Sequence, residues 1–336
     1  MISITHGKPA LVLAPMDGLT DAPMRAVQGS IGAFDYAVSE FIRVAQEIPP
    51  VKVFRRDVPE LLTGCRTATG LPVQVQILGG DPERMAIAAI TAVDAGATAI
   101  DINFGCPAPT VNRHDGGATL LKYPDRIYCV VKAVREALPL SIPVSAKMRL
   151  GWDSIDPIFE NAQMAESAGA SWITIHGRTK IQRYAPPAHW EPIGLVRERL
   201  TIPVVANGDI WNLDEFRRCR EVTGCEHFML GRCAIANPNL ANEIARELGT
   251  DRASAADAPD WIELIRQLHH YSSCFGLGDS YVLCRLKQWL SMASRFGSYP
   301  YFESLKRVQT LQEFMNIARL CEELGDETTP RELTRA

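Results

Sequence analysis

No C-x-x-C pair occurs among the nine cysteines of this 336-residue chain, and their number is odd. Thiols scattered in this way build neither a disulfide framework nor a structural zinc site, so no metal is expected. The opening residues, Met-Ile-Ser-Ile-Thr-His-Gly-Lys, lack the basic-then-apolar layout of a leader. No apolar run approaches the roughly 18 residues that a membrane span needs. A net charge of only −4 excludes bulk electrostatic attraction to nucleic acid, so any such contact must rest on a local patch. Aromatic residues are few at 7%, yet the hydrophobic 46% and charged 22% are ordinary for a globular protein. The expectation is a cytoplasmic protein with reduced thiols and no membrane contact.

What the chain does have is a repeat. Eight short apolar, β-branched runs recur at Ala10–Pro15, Phe34–Glu40, Val73–Leu78, Ala99–Phe104, Pro143–Leu150, Trp172–Gly177, Pro203–Gly208 and His227–Gly231. Helical periods lie between them, clearly so at Arg84–Ala95, Asp125–Leu138, Pro157–Ala168 and Leu213–Val222. Arg84–Ala95 has Met85, Ala88, Ala89, Ala92 and Val93 on one face and Gly96 where a C-cap belongs. Eight such units predict an α/β fold, a (β/α)8 TIM barrel over residues 1–246, with an open doubly wound sheet as the alternative. Residues 247–260 read as a linker rich in Ala, Asp and Ser, 261–324 as a small all-α helical bundle, and 325–336 as a flexible tail.

In a barrel the working face lies at the strand C-termini. Gln76, Lys147, His176 and Asn207 fall there, inside otherwise apolar strands. Burying such groups without partners costs a few kcal/mol each. Gly208 and Gly231 end strands seven and eight, where barrels commonly cradle a phosphate, and Arg232 adds charge; turn glycines explain the pair equally well. Lys147 is either a snorkelling lysine or a cation facing an electron-rich cofactor ring such as a flavin. Cys106 sits where strand four breaks at Gly105-Cys-Pro107, either as core filler or as a chemical group.

These residues fall in a series of motifs: Ala14-Pro-Met-Asp-Gly18, Asp101-Ile-Asn-Phe-Gly-Cys-Pro107, Gly116-Gly-Ala-Thr-Leu-Leu121, Lys147-Met-Arg-Leu-Gly151, His176-Gly-Arg-Thr179, Ala206-Asn-Gly-Asp-Ile210 and Met229-Leu-Gly-Arg232. In their order and spacing the chain resembles the tRNA-dihydrouridine synthases. That resemblance implies FMN in the barrel, NADPH or NADH as electron donor, and reduction of a uridine in tRNA, with Cys106 as proton donor. It implies FMN contacts at Pro15, Met16, Asp17, Gln76, Lys147, His176, Asn207, Gly208, Asp209, Gly231 and Arg232.

Stretches such as Ser39-Glu-Phe-Ile-Arg-Val44 and Arg149-Leu-Gly-Trp-Asp-Ser154 are most like the branch that modifies uridine 16 of the D-loop. Asn103 is then expected on the uracil edge, and Arg43, Arg149, Arg285, Lys287 and Arg295 on the RNA. A basic stripe adds weight: Ser280–Val308 holds five Lys/Arg against the single Glu303, with Arg285, Gln288, Met292 and Arg295 on one helical face. The expected partner is tRNA, not DNA, met by a monomer. The loop Ala188-His189-Trp190 departs from the family by lacking an acid before the tryptophan. The alternative is an FMN enzyme acting on a free pyrimidine, which has no use for a basic helical tail.

Overall fold

A computed structural model describes residues 2–250, 260–297 and 299–324. Eight parallel strands close into a barrel in chain order. They are β1 Ala10–Leu13, β2 Tyr36–Arg43, β3 Val73–Leu78, β4 Ile100–Phe104, β5 Val144–Arg149, β6 Ile173–His176, β7 Val204–Asn207 and β8 His227–Leu230. All eight expected strands are present. β2 runs to Arg43 because it skips register between Val38 and Phe41 and resumes pairing with β3. Alternation in sequence cannot show such a bulge.

Alternation along each strand sorts the side chains into two layers. Val73, Val75, Ile77, Ile100, Ile102, Val144, Ala146 and Met148 face outward into the large core shared with the helices. Val12, Tyr36, Val38, Trp172, Val205 and Met229 fill the interior, closed from below by Ile2 and Ile4. The polar residues of β3, β4 and β5 thus point inward in matched rows. Gln76 pairs with Asp101 and Asp101 with Ser145, and one row higher Asn103 pairs with Lys147 and Lys147 with Thr174.

The helices form for local reasons. Asp81 caps the helix Pro82–Ala95 by accepting from Arg84 N–H, Pro82 opens its first turn, and Gly96 ends it at φ 121°. Its buried face is Met85, Ala88, Ala89, Ala92 and Ala95, the spacing of one helical stripe.

Beyond the barrel come the helices Pro238–Leu248, Trp261–Cys274, Asp279–Phe296, Phe302–Leu305 and Leu311–Leu324. The first carries Glu247 and Leu248, so it enters the stretch expected as a linker. The rest of that stretch, 251–259, and the expected tail 325–336 lie outside the described residues. No strand occurs among the described residues of 261–324, and no described helix is long and apolar enough to cross a membrane.

The C-terminal helices share an apolar cluster with the barrel. Trp289, Leu290 and Phe314 pack with Met24 and Val27 from the helix Ala22–Ile31 and with Ile235. Trp289 Nε1 donates to Ile235 O at 2.8 Å. A Cβ on Gly297 would lie 1.8 Å from Ala236 O, so only glycine permits this approach.

Candidate active site

A cavity of about 320 Å3 opens at the C-terminal ends of the strands, and all eight strands or the residues just past them line it. Every residue expected to hold the cofactor borders it, from Pro15, Met16 and Asp17 to Gly231 and Arg232. Cys106, Asn103 and Arg149 border it as well. Arg43, Arg285, Lys287 and Arg295 do not.

The Cys106 loop is tied down by its own strand. Asn103 Oδ1 accepts from Gly105 N–H at 2.8 Å and Cys106 N–H at 2.9 Å. Cys106 O in turn accepts from Ala118 N–H at 3.1 Å and Asn112 Nδ2 at 3.3 Å. Gly117 sits at φ 59°, and a Cβ there would come within 3.0 Å of Cys106 O and 3.1 Å of Cys106 Cβ. Gly117 of the motif thus lets the chain close over the cysteine without contact strain. Burial raises the Cys106 thiol above its ordinary pKa, against a hydrogen bond from the Ala108 backbone. The group is a neutral thiol at pH 7, suited to donate a proton and not to attack as a thiolate.

Lys147 stands on the cavity floor beside it. Burial lowers its pKa to about 8; Arg149 acts in the same direction and Asp101 opposes. Asp101 lies beneath, 2% exposed, and burial raises it to about 6 against hydrogen bonds from Ser145 and Gln76. His176 is held well below its ordinary value by burial and by the cations Arg149, Lys147, Arg178 and Arg232. Its imidazole is neutral, and its buried Nδ1 has no partner among the described residues. His176 borders the cavity, and a buried ring nitrogen without a protein partner is one that a bound group could satisfy.

At the far end, Gly208 adopts φ 120° and Gly231 faces Met16 Sδ and Ala14 Cβ at 3.4 and 3.5 Å from where a Cβ would be. Trp190 Nε1 donates to Gly208 O at 2.8 Å, so the loop that departs from the family pattern still clamps this turn. Asp209, at φ 48°, borders the cavity beside Gly208. Its oxygens are bound by Arg178 and, at 3.3 Å, by Arg232.

Two arginines expected on RNA are spent elsewhere. Arg149 is 4% exposed and donates to Gly105 O, Thr179 O and Arg183 O at 2.8, 3.1 and 2.8 Å, joining the loops after β4 and β6. Arg285 is 6% exposed; it pairs with Asp21 at 3.0 Å and donates to Gly18 O and to Leu19 O at 2.5 and 2.6 Å. Both carry charge, but buried carbonyls and a carboxylate already satisfy it. Lys287 Nζ donates to Val308 O within the helical region. Arg43 reaches Thr110 O at 3.4 Å, behind the cysteine loop. Arg295 is exposed and lies over its neighbour Phe296 at 4.9 Å.

Sequence reasoning missed Tyr184 and Arg178. Tyr184 borders the cavity with Arg149 and Arg232 over its ring at 5.3 and 4.9 Å. It lies in a loop without periodicity, so no local signal marks it. Arg178 is fully buried with Nη1 unpartnered; an arginine two residues past an apolar strand was the available signal.

The profile of the dihydrouridine synthase family matches residues 12–316. The tRNA-dihydrouridine(16) synthase of Shewanella oneidensis is 43% identical over 313 residues, covering 91% of this chain and 96% of that protein. Proteins of the same name from Pseudomonas putida and Neisseria meningitidis serogroup A are 42% and 41% identical, covering 94% and 93% of this chain and 97% and 94% of theirs. With family motifs lining one cavity and relatives matched nearly end to end, the chain belongs to the dihydrouridine synthase family.

Proposed function

We propose that this protein reduces the C5–C6 double bond of a uridine in tRNA, giving 5,6-dihydrouridine, and that the uridine is number 16 of the D-loop. The observation that carries this is Cys106, a neutral thiol held on the rim of a barrel cavity that Lys147 also lines. The site fits FMN: His176 Nδ1 is unpartnered, Gly208 and Gly231 border the cavity without side chains, and Arg232 brings charge to that end. When bound, FMN supplies the hydride that reaches uracil C6, replenished by NADPH or NADH.

The chain's own residues do the rest. Cys106 gives its proton to C5, so one hydride and one proton together saturate the bond. Lys147 offers a fixed positive charge to electron density building in the ring beside it. Neutral His176 donates or accepts without adding charge. Asn103, whose Oδ1 is occupied, has an N–H left for a uracil carbonyl. A uridine within a folded tRNA reaches this floor only by leaving its stack. The protein acts as a monomer in the cytoplasm, and Arg295 is the exposed cation best placed on its helix to meet phosphate.

The test is to incubate purified protein with NADPH and unmodified tRNA and to map dihydrouridine by position. Product at position 16 supports the reading. Turnover of free uracil without turnover of tRNA would replace it with the free-pyrimidine alternative.

A further inference from the structure

We propose that Asp101 is a positioning residue: its buried carboxylate sets the sense of a hydrogen-bond relay through Gln76 and Asn103 that holds the Cys106 loop. The chemical importance of that loop rests on the function proposed above, but the relay itself does not.

Every link is short. Asp101 Oδ2 accepts from Gln76 Nε2 at 2.7 Å, Gln76 Oε1 accepts from Asn103 Nδ2 at 2.8 Å, and Asn103 Oδ1 accepts from Gly105 and Cys106 N–H at 2.8 and 2.9 Å. The other Asp101 oxygen accepts from Ser145 Oγ at 2.5 Å, itself approached by Gln74 Nε2 at 2.9 Å. Asp101, Gln76, Gln74 and Ser145 are 2% exposed or less, so water cannot substitute for a lost partner.

The two ends dictate the middle. A carboxylate only accepts, and backbone N–H groups only donate. Two amides between them can align in one sense alone, each –NH2 toward Asp101 and each C=O toward Cys106. Reversal would set Gln76 Oε1 against the carboxylate and Asn103 –NH2 against two backbone N–H groups. Three contacts of like with like, one of them fully buried against the carboxylate, are prohibitive in a low-dielectric interior. The remaining N–H of Gln76 and of Asn103 is therefore the group each amide offers the cavity, a donor face suited to ring carbonyls.

Asp101 itself does not border the cavity. It acts through the two residues that do. Its neighbour in the row, Ser145, only supports the carboxylate and does not set the sense.

The decisive measurement is hydrogen exchange of the amides at 104–108 in the intact protein without tRNA. Asp101→Asn keeps the volume but can turn an –NH2 toward Gln76, so exchange of the Gly105 and Cys106 amides should rise roughly tenfold. Asp101→Asn combined with Gln76→Glu moves the acceptor-only group one link along the relay and should restore protection. Ser145→Ala should leave it unchanged. In turnover, Asp101→Asn should lower kcat with KM for tRNA within about twofold, the split expected when geometry and not binding is lost.

Unchanged exchange in Asp101→Asn, or a double variant that folds without regaining protection, overturns the proposal. If Asp101→Asn does not fold, the double variant compared with Ser145→Ala decides alone. Because exchange is read without substrate, a protein that fails to reduce tRNA yet shows this pattern would refute the proposed function and leave the relay standing.

Discussion

At the scale of single residues, the proposed reaction divides its chemistry between Cys106, which gives a proton, and Lys147, which holds a fixed charge. Cys106→Ala should abolish dihydrouridine formation while flavin absorbance and tRNA retention stay near wild type; product formed at the normal rate would take Cys106 out of the reaction. Lys147 sets a pH limit. Its folded pKa is lowered to about 8, so the ammonium is lost as pH rises through 8, and kcat should fall on that alkaline limb. Lys147→Arg keeps the charge and should move the limb upward, measured as kcat against pH. The sign for stability is opposite. The folded state binds this proton less tightly than the unfolded one, so between about 8 and the unfolded value stability gains as pH rises. Cys106 and Lys147 were legible because each breaks an apolar strand or ends one. Asp101 breaks one too, but its meaning lies in Gln76, 25 positions earlier, and Ser145, 44 later. Nothing local links them.

At the scale of elements, the helix Asp279–Phe296 shows how a correct period can carry a wrong face. The expected stripe through Arg285, Gln288, Met292 and Arg295 does lie along one side, but Arg285 also shares the buried side with Val282, Leu286 and Trp289. Charge kept it on the solvent side in a reading by composition. What buries it is Asp21, ahead of the helix Ala22–Ile31, with the Gly18 and Leu19 carbonyls. Arg285 therefore staples the helical region to the β1 loop, the same loop that lines the cavity. Arg285→Ala should cost about 2–3 kcal/mol in denaturant unfolding by taking the cation from Asp21, which keeps only Tyr281 OH and Met24 N–H, and by leaving the Gly18 and Leu19 carbonyls without a donor. Arg295→Ala should cost almost nothing there and instead reduce the salt slope of tRNA binding by about one. Equal effects of the two variants on stability would refute this division.

At the scale of the whole molecule, the barrel and the C-terminal helices share an apolar cluster through Met24, Val27 and Ile235. Calorimetry should then show one unfolding transition in the intact protein; two separated transitions would mean the shared cluster does not couple them. The sequence by itself pointed to parallel strands covered by helices, because eight evenly spaced apolar runs alternate with helical periods; closure into a ring and not an open doubly wound sheet is what the tertiary structure shows. The sequence also determined which end carries polar groups, since Gln76, Lys147, His176 and Asn207 all fall in the C-terminal halves of their strands. The resemblance to a family placed Cys106 among them. Only the tertiary structure decided which charges are free. Arg149 and Arg285 read as RNA-facing in one dimension, yet each donates to groups across strands or helices distant in sequence. Hydrophobic periodicity is a local property and survives projection onto a line. The pairing of buried polar groups depends on which side chains the closed fold brings within hydrogen-bond reach.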